Sequence, residues 1–124
     1  MLKLSRVGVI RRDYLFKITD ESINRQDEKI ILINIVGLLH LLENKAIRLE
    51  EAEKFLFSPH VYNELYDKGC DDKILELIMK ACELEDIQSI IPEQFDEAIK
   101  EIKNQTVMIL QEYEIYDKEQ WLMN

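Results

Sequence analysis

Apolar residues are densest between Ile30 and Leu42 (IILINIVGLLHLL), where ten of thirteen positions are Ile, Leu or Val. A run this uniform predicts a central helix over about 27–43, against which the rest of the chain closes. Asp27 and Glu28 suit its start, where carboxylates meet the positive end of the helix dipole. Only Asn34, Gly37 and His40 interrupt the run. They recur every third residue and form a narrow stripe, which suits a close crossing inside the fold or a seam between two copies of the chain.

Downstream the pattern keeps a helical period. Ala52, Phe55 and Leu56 give one apolar face to a short helix over about 49–57. Ser58-Pro59 reads as an N-cap followed by proline at the first helical position, so a helix should span about 59–67. Gly69 follows where a left-handed cap residue belongs. Asp71 caps a fourth helix over about 72–83, with Ile74, Leu77, Ile78 and Ala81 inward. A short helix over 84–91 and a long one over about 92–113 complete the body. Upstream, Val7 and Val9 alternate, as do Tyr14, Phe16 and Ile18. That period of two suggests a small β-hairpin or an extended arm, which would have to lean on the helices.

The expected fold is therefore all-α, with five to six helices in one compact bundle. The chain of 124 residues suits a single domain: an N-terminal arm over 1–26, a helical body over 27–113 and a tail over 114–124. Three glycines and two prolines are too few for a many-turned β-sandwich.

Charge sharpens this picture. The net is −9. Residues 1–26 hold six basic side chains against three acidic ones, a net of +3, which leaves −12 on the remainder. That balance argues against direct nucleic-acid binding and favours a basic protein partner. The acids Glu83, Glu85 and Asp86, followed by Glu93, Asp96 and Glu97, straddle the junction at Pro92. They form a candidate partner-binding patch that would speed encounter with a basic surface or mimic the charge of a nucleic acid. The stripe of Asn34, Gly37 and His40 is the candidate self-association surface.

Catalytic signatures are not apparent. The glycines are isolated, so no phosphate-cradling loop is expected, and Ser58 is explained as a cap. Acidic neighbours of Cys70 oppose a reactive thiolate. His60 and Glu64 share a helical face, but with no second histidine nearby no metal site is expected; nor is any cofactor. Cys70 and Cys82 read as free thiols of a reducing compartment. The Ile30–Leu42 run is shorter than the roughly 20 residues a membrane span needs. A cytoplasmic, non-enzymatic protein is expected, with an immunity or inhibitor role against a basic toxin or nuclease. A homodimerising structural protein is the alternative, and a small-ligand protein or enzyme the third reading.

The segments Gly37–Leu39, Glu50–Pro59 and Glu83–Glu93 ("GLL", "EEAEKFLFSP", "ELEDIQSIIPE") resemble a family of small bacterial proteins known as a domain of unknown function. These are packing and helix-boundary patterns. The resemblance implies a compact helical domain of the bacterial cytosol and no particular activity.

Overall fold

The structure, a computed structural model, describes residues 22–113. The hairpin or arm expected over the first nineteen residues and the tail carrying Trp121 lie outside these. All regular structure among the described residues is helical. Four helices exceed two turns: α1 (Arg25–Glu43), α3 (Pro59–Asp67), α4 (Asp72–Cys82) and α6 (Phe95–Leu110). Two seven-residue segments, α2 (Leu49–Phe55) and α5 (Leu84–Ile90), lie between them. The all-α class holds. The expected five or six helices are corrected to four long ones joined by these short segments. The last helix is also shorter than expected, because Pro92–Gln94 forms a separate 3₁₀ turn before α6.

Local chemistry accounts for the helix ends. The Asn24 carboxamide oxygen accepts the Asp27 N–H at 2.8 Å, while the Asn24 N–H donates to the Asp27 carboxylate at 3.1 Å. This reciprocal cap starts α1 at Arg25, two residues before the expected start. Ser58 Oγ accepts the Val61 N–H, and Asp71 Oδ1 accepts the Lys73 N–H. Past the end of α3, Gly69 takes φ +80°. Gly69 N–H then donates to the Tyr66 carbonyl and Cys70 N–H to the Leu65 carbonyl, a Schellman ending.

Packing follows from the apolar faces. The α1 and α6 helices run antiparallel. At one end Glu43 pairs with Lys103, and at the other Glu28 meets Tyr113. On its other side α6 packs on α4, which in turn packs on α3. Ile31, Leu32, Ile35 and Leu39 of α1 share one buried core with Leu56, Phe57, Ile74, Ile78, Leu84 and Ile99. Thr106 is also fully buried, its hydroxyl donating to the Ile102 carbonyl one turn back.

Among the described residues Glu28 is the one buried carboxylate, 5% exposed. One oxygen accepts the Asp71 N–H at 2.8 Å and the other accepts the Tyr113 hydroxyl at 3.0 Å. Arg25 lies 3.6 Å from the second oxygen and stacks on the Tyr113 ring, 3.7 Å from its centroid. Burial first, and then the Glu28 hydrogen bond, push the Tyr113 hydroxyl above its ordinary range. One side chain thus joins the start of α1, the start of α4 and the segment after α6. Replacing it by alanine leaves a buried N–H and a buried hydroxyl without their acceptor. Glu28→Ala should lower stability by about 3 kcal/mol, read as a drop in the urea midpoint with an unchanged slope.

Candidate functional site

The expected close crossing at the Asn34–Gly37–His40 stripe does not occur within the described residues. Asn34 is half-buried and its amide donates to the Ile30 carbonyl at 2.8 Å. Gly37 is exposed, and a Cβ built there would meet nothing within 4 Å. His40 turns toward α6, with its Nδ1 3.5 Å from Lys103 Nζ. The stripe therefore divides in three. Gly37 instead shares its face with Ile33 and Leu41, one turn away on either side and 46% and 39% exposed. Among the described residues the outer side of α1 is open.

All six acids of the candidate patch are exposed. Glu83 caps α5, and Glu85 and Asp86 occupy its first turn. Glu93 lies in the 3₁₀ turn, and Asp96 and Glu97 in the first turn of α6. These three segments pack on one another, so the acids belong to one corner of the molecule. Asp96 is drawn to the edge of that corner by Lys45, 3.9 Å away.

Two further acids, Glu50 and Glu53, extend the patch. Burial, and then the charges of Glu85 and Glu50, raise the Glu53 carboxyl above the ordinary range. Glu50 and Glu53 belong to α2, so the acidity of α5 continues across the surface. Half-buried Cys82 stands at this seam, and burial followed by the Glu53 and Glu83 charges raises its thiol. Nothing in the spacing of Glu50 and Glu53 links them to Glu85. The only signal in the sequence is the density of acids along the neighbouring helix α2, at Glu50, Glu51 and Glu53. A raised carboxyl means that the folded state holds the proton more tightly. Glu53 therefore favours the folded state more as pH falls toward the carboxylate range, and less at neutral pH.

Two isoleucines that the apolar spacing over 84–91 predicts to face inward are instead exposed at this corner. Ile90 at the end of α5 is 74% exposed, and Ile91 beside it 37%. Ile90 follows Asp86 by one helical turn and precedes Glu93 by three residues. It is an exposed apolar side chain on the acidic segment that joins α5 to α6.

The remaining reactive groups are structural in setting. Burial first, and then the charges of Glu28 and Asp71, push the buried Cys70 thiol up to about 12. Such a thiol stays protonated at neutral pH and is a poor nucleophile. His60 Nε2 lies 3.9 Å from Glu64 Oε1 on an exposed face of α3. Among the described residues no three His, Cys, Asp or Glu side chains gather as metal ligands. No helix among them is long and apolar enough to cross a membrane.

Residues 23–123 match the family described as protein of unknown function (DUF3969), and the chain belongs to it. No curated protein and no solved structure matches the chain.

Proposed function

We propose that this protein is a non-enzymatic binding module whose acidic corner engages a basic protein surface. The observation that carries the reading is Ile90, 74% exposed at the end of α5 and flanked in sequence by Asp86 and Glu93. Binding energy at protein interfaces concentrates in a few apolar anchors surrounded by a polar rim. Ile90 supplies the anchor. Asp86, Glu93 and Glu97 supply the rim, with Glu85, Glu53 and Glu50 extending it. A net charge of −9 steers basic partners toward such a surface and raises the association rate. The repulsion felt by Glu53 supports the same reading, since carboxylates held together against their own charge gain most from a cationic partner. A more specific form is an immunity or inhibitor protein of the bacterial cytoplasm, with the acids covering the basic cleft of a toxin or nuclease. This form rests on the class of small acidic helical proteins.

A second reading is favoured by one observation, the open face of α1. Two copies related by a two-fold axis at Gly37 would set Ile33 of one against Leu41 of the other, with the glycines allowing close approach.

The primary reading predicts that the full chain, used as bait, captures a basic protein at roughly 50 mM salt and releases it at roughly 500 mM. An Asp86→Lys/Glu93→Lys bait should capture none of it, and Ile90→Glu should speed its dissociation at least tenfold. Equal capture by wild-type and charge-reversed baits, or no stoichiometric partner at low salt, would contradict the proposal. For the second reading, sedimentation at micromolar concentration should give a dimer that Leu41→Glu converts to a monomer. A wild-type monomer would exclude it.

A further inference from the structure

A cavity of about 390 Å³ opens at the corner where α1 ends and α2 begins. It differs in character from the acidic corner. Leu42, Ile47, Leu49 and Phe95 give it an apolar lining, and Lys45 and Arg48 stand on its wall. Leu42 and Leu49 are 4% exposed and belong to the core, while Ile47 and Phe95 pack against it. The lining is therefore fixed by the fold. Its size falls within the range of small-molecule sites, about 300–1,000 Å³.

Both cations are available to a ligand. Arg48 forms no ion pair among the described residues; its backbone is engaged, the N–H donating to the Glu51 carboxylate at 2.9 Å and the carbonyl accepting from the Glu51 and Ala52 N–H groups. Lys45 has one long contact, 3.9 Å to Asp96, between side chains 77% and 65% exposed. An exposed pair at that distance contributes little and is readily exchanged. Glu50 also lines the cavity and offsets part of the positive charge, so the two cations suit a single carboxylate better than a multiply charged group.

The backbone at Lys45 makes this position more than a chance surface lysine. The α1 helix ends in a Schellman turn, with Lys45 N–H donating to the Leu42 carbonyl and Ala46 N–H to the Leu41 carbonyl. Lys45 occupies the left-handed position of that turn at φ +58°. Glycine is favoured there, and any Cβ carries a cost. The same turn after α3 uses Gly69. The protein thus holds a strained lysine on the cavity wall where glycine would fold more readily. A side chain kept at that cost fits a role for Lys45 on the cavity wall.

We infer that this corner binds a small amphipathic monoanion, a carboxylate on a short aromatic or aliphatic body. The body lies on Leu42, Ile47, Leu49 and Phe95. The carboxylate accepts from the Arg48 guanidinium, whose fork geometry suits bidentate pairing, and from Lys45 Nζ. The site borders the acidic corner, sharing Glu50 with it and meeting Asp96 through Lys45, but its ligand chemistry does not rest on the acidic-corner reading.

The test is titration of the full chain with benzoate, followed by backbone amide NMR, with benzyl alcohol as the uncharged isostere. Benzoate should give saturable shifts at residues 45–50 and at Phe95, with a dissociation constant on the order of 1 mM or tighter. Benzyl alcohol should give none that saturate. Arg48→Gln should weaken benzoate binding at least tenfold. Lys45→Gly should weaken it too, while raising the Tm by several degrees, about 4 °C or more. Absence of saturable shifts, equal binding of benzyl alcohol, or retained binding in a Lys45→Gly/Arg48→Gln double variant would overturn the inference.

Discussion

A buried carboxylate with a full set of partners holds this fold together. Glu28 belongs to the first turns of α1, yet its two oxygens are engaged by groups 43 and 85 residues away. Burying a charge is costly unless hydrogen bonds replace the lost water. Here the Asp71 N–H, the Tyr113 hydroxyl and the nearby Arg25 guanidinium do so. The geometry of the bundle follows from that requirement. The start of α4 and the end of α6 must converge on the start of α1, which fixes the antiparallel pairing of α1 with α6. At the far end the Lys103–Glu43 pair closes the same pairing, with the Lys103 hydrogen bond holding the Glu43 carboxyl below its ordinary range.

Between these two fixed ends, α1 has more apolar surface than the described helices cover. Its inner face is among the most buried surfaces in the molecule, while Ile33 and Leu41 remain open beside Gly37. Charge is distributed in a complementary way. The acids collect at the corner formed by α5, the 3₁₀ turn and the start of α6, joined by Glu50 and Glu53 from α2. The open face of α1 carries no charged residue from Ile30 to Leu41. The molecule therefore offers two chemically different surfaces, one suited to a basic partner and one to an apolar contact. A third feature, the cavity walled by Lys45 and Arg48, lies at the α1–α2 corner.

The sequence is readable where the chemistry is local. Ser58, Asp71 and Gly69 each act within a few residues, and each takes the expected place. Asn24 acts just as locally, but its reciprocal partner is Asp27, which was read as a dipole residue, and so the start of α1 was set two residues late. Long-range features were not readable. Glu28 looked like any acid at a helix start, because nothing in its neighbourhood points to Asp71 or Tyr113. An apolar helix does not reveal which of its sides is covered, so the sequence leaves open whether Gly37 marks a crossing inside the fold or an outward face, and it does not single out Ile33 and Leu41. The same limit applies to the acids: sequence located Glu83, Glu85 and Asp86, whereas their continuity with Glu53 depends on how α2 meets α5.

Glu28 and Tyr113 act as a unit that joins the start of α1 to the segment after α6. A double-mutant cycle over Glu28→Gln and Tyr113→Phe measures this directly by chemical denaturation. The account predicts a coupling energy of about 1 kcal/mol or more between the two changes. Additive effects would contradict it, and would mean that the bundle is held by its apolar core alone.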